Sequence, residues 1–240
     1  MNARSKRDYV LDLVRGAAVV GMVLFHIAIF HDATHQTSYT TTPSLKLIGS
    51  IARTIFVFLL GFSIALARKK QSGSECKRRY YLRLARRTLF IAAGATFVTV
   101  ASAGNVRFGI LHYMTVASLL VGLLPTSAIP LVAFATAMII TGKDRLPLTS
   151  VRVVNESLFG HVHYATYDIF PVVRWLPVTI LGLMAGHAAK DRRARSTPPV
   201  AMKPLCWCGS HSLSIYILHF FILVAVYRWV PGRGKLPTVR

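Results

Sequence analysis

Seven stretches of this 240-residue chain, at about 10–30, 45–67, 84–103, 108–124, 126–141, 170–189 and 205–230, are apolar over lengths that reach or approach the ~20 residues of a membrane-crossing helix. Inside hydrocarbon every backbone N–H and C=O must be paired within the segment, so runs of this kind fold as helices. The expected fold class is therefore all-α, a polytopic transmembrane bundle of about seven spans in a single domain over residues 1–240. The fourth and fifth runs are short, and Leu123-Leu-Pro-Thr-Ser127 fits a tight turn between them, which keeps a six-span count open. A composition of 53% hydrophobic residues and a mean hydropathy of +0.49 exclude an ordinary soluble domain.

Charge sets the orientation. The chain carries 29 Lys+Arg against 8 Asp+Glu, a net charge of +21, and the basic residues cluster between the apolar runs rather than in one groove-lining stripe. They read as topogenic charge and contacts to membrane lipids, not as a nucleic-acid surface. Residues 68–87 and 190–195 are densely basic, whereas 31–44 hold no Lys or Arg, so the N-terminus is expected on the cytoplasmic side. Arg4, Lys6 and Arg7 precede a first apolar run that is too long, and too interrupted by Asp12 and Arg15, to be a cleavable leader.

Ionisable side chains inside such runs are costly and point to function. Arg15 and His26 lie eleven positions apart in the first run. At ~100° per residue that spacing returns to within ~20° of the same direction, ~16 Å along the axis. The two groups share a face near opposite membrane surfaces. Asp12, three residues before Arg15, can pair with it. Arg53 falls about eight residues into the second run and is expected to face the bundle interior. His31 and Asp32 follow in the outer loop, His112 and Tyr113 open the fourth run on the outer side, and Asp168 precedes the sixth. In the last run Ser212, Tyr216 and His219 recur at spacings of four and three, a polar stripe on one face. Such stripes also glue helices together, interfacial Tyr is common, and a carboxylate before a helix can simply cap it.

The segment Leu11 to His26 resembles the Arg-x10-His first helix of membrane acyltransferases that use cytoplasmic acyl-CoA. Phe56-Val-Phe-Leu-Leu-Gly-Phe-Ser63, Phe108-Gly-Ile-Leu-His-Tyr113, Asp168-Ile-Phe-Pro171 through Leu181-Gly-Leu-Met-Ala-Gly186, and Gly209-Ser-His-Ser-Leu-Ser-Ile-Tyr-Ile-Leu-His219 follow in order. Together they are similar to the bacterial branch related to the catalytic domain of heparan-α-glucosaminide N-acetyltransferase. The resemblance implies an integral protein of the bacterial inner membrane that moves an acyl group, commonly acetyl, from acyl-CoA to a hydroxyl or amine of an outer glycan or glycolipid. The residues fit such a transfer: His26 is expected as catalytic base or nucleophile, with His219, the second histidine of an otherwise apolar span, and Asp168, on the side where the acceptor arrives, as catalytic companions. Arg15, Asp12 and Arg53 would bind the donor, and His31, Asp32, His112 and Tyr113 the acceptor. Arg15 supplies a fork of donors for a CoA phosphate, and an imidazole titrates in the range a base needs.

Two other functions compete. His26, His112, His187 and His219 could ligate a b-type haem, but no two share a helix at the spacing of a haem stack, and haem leaves Arg15 without a role. A glycolipid transporter or flippase would use the intramembrane charges as a path, yet no duplicated half is visible. Walker and Gly-x-Gly-x-x-Gly signatures are absent, and the histidines of the outer loops form no defined ligand set, so no metal is expected. Cys76, Cys206 and Cys208 have neither redox nor zinc spacing and read as structural.

Overall fold

The computed structural model describes residues 8–35, 37–69, 74–102, 106, 108–125, 127, 130, 132, 169–189 and 198–229. Among these the helices are α1 (Tyr9–His35), α2 (Pro43–Lys69), α3 (Ser74–Ala101), α4 (Ile110–Leu123), α5 (Val172–Ala188), α6 (Lys203–Ser210) and α7 (Ser212–Trp229). Short 3₁₀ turns at Tyr39–Thr41 and Val200–Met202 precede α2 and α6. The all-α class is borne out. Three described helices are long and apolar enough to cross a membrane, and the bent pair α6–α7 makes a fourth if it acts as one span. α4 and α5 are shorter apolar helices, and most of the fifth run expected at 126–141 lies outside the described residues.

Two boundaries differ from the apolar pattern. α3 starts at Ser74, about ten residues before its apolar run, because six basic residues occupy its first turns. Lys and Arg are good helix formers, and Glu75 pairs with Arg79 one turn on at 2.6 Å. The last run, expected as one helix over 205–230, is broken by 74° between α6 and α7. At the break the backbone N–H of His211, its Nδ1–H and the Ser210 hydroxyl all donate to the Trp207 carbonyl, at 3.1, 3.0 and 2.8 Å. The backbone bond keeps the regular i to i−4 spacing, and the two side-chain donors crowd the same carbonyl, a back-bonding that often bends helices.

The chain divides into two compact units, one holding residues 1–56 and 189–237, the other residues 57–188 and 238–240, with α2 contributing to both. In the first unit, Asp12, Val19, Met22 and His26 are buried along one stripe of α1, with Ala18 beside it, while Val20, Leu24 and Ile27 are exposed. That division is the one a 3.6-residue period dictates. α1 packs closely on α6: a Cβ at Gly16 would run into the Leu205 carbonyl, and one at Gly209 into the carbonyl of Asp12. Small residues let helix backbones approach in this way where hydrocarbon provides no hydrophobic drive between helices. Cys206, a buried free thiol, lies 3.7 Å from the Tyr9 carbonyl at the same contact.

In the second unit α2 and α5 cross with equal intimacy, Gly61 against the Thr179 carbonyl and Gly182 against that of Phe58. Tyr113, Phe170, Leu60, Ile91, Ile180 and Leu183 are its largest fully buried side chains. Among the described residues a parallel bridge joins Phe108 to Ile169. The last carbonyls of α4 are closed from α2: Arg68 Nη2 donates to Val121, Gly122 and Leu124 at 2.6, 2.9 and 2.6 Å, and the Tyr80 hydroxyl adds a bond to Gly122 at 3.0 Å.

Candidate active site

The buried stripe of α1 carries Asp12, Arg15, Met22 and His26 in the first unit. Arg15 Nη1 pairs with Asp12 Oδ1 at 3.2 Å, with side chains 24% and 10% exposed, so the guanidinium is held in place but still reachable. Towards the other end of the helix His26 meets His219 of α7, their ring centroids 5.1 Å apart and their planes at 55°. The Tyr216 ring sits edge-on to both, at 5.9 Å from His26 and 5.2 Å from His219. Phe25 and Phe220 complete the aromatic surround of His26.

The hydrogen bonds fix the tautomers. His26 Nδ1 lies 2.9 Å from the Met22 carbonyl and His219 Nδ1 3.1 Å from that of Ile215. A carbonyl only accepts, so each Nδ1 carries the hydrogen, and a neutral ring then keeps its lone pair on Nε2. His219 Nε2 is buried without a hydrogen-bond partner among the described residues. Such an atom costs ~1–3 kcal/mol unless something else meets it. Two imidazoles with their Nδ1 atoms anchored, each with its lone pair on Nε2, can accept and pass protons.

Arg53 lies beside the histidine end of the stripe. Its Nε donates to the Gly49 carbonyl at 3.2 Å, and its guanidinium stands 5.8 Å from the Phe25 ring. Asp32 has a different occupation from the one expected of it. Its carboxylate accepts from the Thr37 hydroxyl (2.7 Å), the Tyr39 N–H (2.8 Å), and the Thr40 N–H and hydroxyl (2.7 and 2.6 Å). Those four bonds use the ~four acceptor sites of a carboxylate, so Asp32 pins the loop between α1 and α2. His31 remains exposed, stacked on His35 at 4.3 Å and bonded to Thr37 at 3.1 Å.

His112 and Tyr113 belong to the second unit. The Thr99 hydroxyl donates to the Val106 carbonyl at 2.7 Å, so His112 Nε2, 3.2 Å from the Thr99 hydroxyl oxygen, must be the donor to it. Tyr113 is fully buried, with its hydroxyl 2.5 Å from that of Thr179, in the position of a packing residue. Tyr113→Phe is accordingly expected to lower stability by ~1–2 kcal/mol, read as a drop in Tm in detergent, with KM for the acceptor unchanged. A raised acceptor KM at unchanged Tm would return Tyr113 to the substrate. Asp168 lies outside the described residues.

Tyr216 was legible only as part of a polar stripe; its contact with both histidines depends on α1 and α7 meeting, which no spacing within one helix reveals. Phe25 and Phe220 carry no signal that separates them from other apolar residues.

Residues 7–221 match the family model described as heparan-alpha-glucosaminide N-acetyltransferase, catalytic. This chain belongs to that family. The matched range takes in Asp12, Arg15, His26, Arg53 and His219 together, and membership makes the protein a membrane acetyltransferase. Neither the curated proteins nor the solved structures yield a match.

Proposed function

We propose that the protein transfers an acetyl group from cytoplasmic acetyl-CoA to a hydroxyl or amine of an extracytoplasmic glycan or glycolipid. The observation that carries this reading is the His26–His219 pair, with both Nδ1 atoms tied to backbone carbonyls, on the same stripe of α1 as Arg15. Arg15 and Asp12 stand eleven or more residues from His26, and at 1.5 Å per residue a span of ~16 Å separates Arg15 from the histidine. An extended pantetheine arm suits that gap, with a CoA phosphate on the Arg15 fork and the thioester at the imidazoles.

In the reaction so read, His26 Nε2 takes the proton of the acceptor hydroxyl or amine as that atom attacks the thioester carbonyl. The new C–O or C–N bond forms, the C–S bond breaks, and the leaving thiolate recovers the proton from the imidazolium. His219 keeps His26 in place and offers a second Nε2 across which the proton can be held. Arg53, whose guanidinium stands 5.8 Å from the ring of Phe25 next to His26 in sequence, supplies positive charge where the carbonyl oxygen becomes negative.

The test uses sealed vesicles with radiolabelled acetyl-CoA on the side of the basic loops and glycan acceptors on the other. Label appearing on the acceptor supports the reading; hydrolysis alone, or transfer only when both substrates share a compartment, overturns it. Arg15→Ala is expected to raise the KM for CoA by about tenfold or more, the worth of a charged hydrogen bond, with kcat little changed. Collapse of kcat at unchanged KM would move Arg15 from donor binding to the chemistry.

A further inference from the structure

At the basic end of the second unit, Ser63, Ile64 and Ala67 of α2 face Cys76, Arg79, Tyr80, Arg83, Leu84 and Arg87 of α3 across a cavity of about 220 Å³. Arg79, Arg83 and Arg87 recur every four residues and so share one face of the helix. The cavity is smaller than the ~300–1,000 Å³ of drug-sized ligand sites and is scaled to a headgroup. Arg83 and Arg87 also border a second, open groove that continues onto Leu89, Phe90 and Ala93. There Leu89 and Phe90 are 73% and 54% exposed. α3 contains Lys77, Arg78, Arg79, Arg83, Arg86 and Arg87 against Glu75 alone, and α2 contains no acidic residue. Glu75 is taken by Arg79, while Arg83 has no carboxylate partner among the described residues.

We propose that this α2–α3 cleft is a binding site for one anionic phospholipid, its phosphate on Arg83 and Arg87 and an acyl chain along Leu89, Phe90 and Ala93. Guanidinium forks match phosphate oxygens bidentately, and basic pockets between membrane helices suit anionic headgroups. The adjoining apolar groove distinguishes a lipid from a soluble phosphate compound, which brings no chain to cover Leu89 and Phe90. Its residues all belong to the second unit, whereas the donor and histidine residues belong to the first.

The full chain, purified in zwitterionic detergent, is titrated with phosphatidylglycerol and with phosphatidylcholine, and bound lipid is counted by native mass spectrometry. Phosphatidylglycerol is expected to bind at a stoichiometry of one in preference to phosphatidylcholine. Arg83→Gln with Arg87→Gln should weaken it by about 30-fold, at the usual worth of each cation near a lipid surface. Lys77→Gln with Arg78→Gln removes equal charge outside the cleft and should leave binding intact. Ala67→Phe, which fills the cavity and keeps every charge, should abolish the preference for the anionic lipid. Equal loss in the two double variants would reduce the effect to general charge and overturn the site, as would unchanged binding in Ala67→Phe. Displacement of the lipid by excess free CoA would overturn the lipid assignment in favour of a nucleotide phosphate. Unchanged acetyl transfer by the first unit's residues in these variants separates this outcome from any failure of the acetyltransferase reading.

Discussion

His26→Ala is expected to lower acetyl transfer by about 10²–10⁴-fold, the range that a positioned general base contributes. The effect should fall on kcat, because the substitution leaves the Asp12–Arg15 pair, eleven residues away, to hold the donor. Loss of the ring also opens space against Tyr216, Phe220 and His219, so folding is checked with His26→Gln, which restores much of the volume without a base. His219→Ala should cost less, since the second ring acts through the first. Transfer undiminished in His26→Ala would remove the base from its place. Label from acetyl-CoA retained on wild-type protein in the absence of acceptor, and lost in His26→Ala, would replace direct attack with an acetyl-imidazole route.

Gly209→Val should damage the protein almost as severely, although residue 209 touches no substrate in this reading. The atom opposing an added Cβ is the backbone carbonyl of Asp12, which has no rotamer into which to retreat. Overpacking typically costs ~1–3 kcal/mol, and a rigid neighbour argues for the upper end. Because α6 leads directly into α7, relief of the clash moves His219 relative to His26. Misplacement of reacting groups by ~1 Å can cost ~10²-fold in rate. A lower Tm together with a kcat loss of that order is therefore expected, and Tm and kcat both at wild-type levels would sink the argument. Gly16→Val should behave alike, and the double variant should lose less than the sum, since both substitutions part the same pair of helices.

How far the sequence discloses this arrangement varies by element. The stripe Asp12, Arg15, Met22, His26 follows from helical period alone, and the buried face of α1 is the predicted one. The all-α class follows from the apolar runs. The first turns of α3 are invisible to hydropathy because charge, not apolarity, fills them. The break before α7 is equally hidden: Gly, Ser and His are all tolerated inside membrane helices, and only the structure shows the 74° bend and the added side-chain bonds to the Trp207 carbonyl. Asp32 looked like an acceptor contact because an acidic residue in an outer loop is available by default; its four internal partners come from residues five to eight positions on, in a loop with no regular period. The meeting of His26 with His219 joins positions 193 apart, a tertiary fact that no local spacing contains.

The closure of α4 by Arg68 bears on how the chain is assembled. At fourteen residues α4 is ~21 Å long, short of the ~30 Å hydrocarbon thickness, and its last carbonyls take their donors from other helices. Their donors come from α2 and α3, both synthesised earlier. The residues that close its end thus precede it in the chain. A segment too short to be stable across the bilayer by itself becomes one that need only dock, and the order of translation matches the order of need.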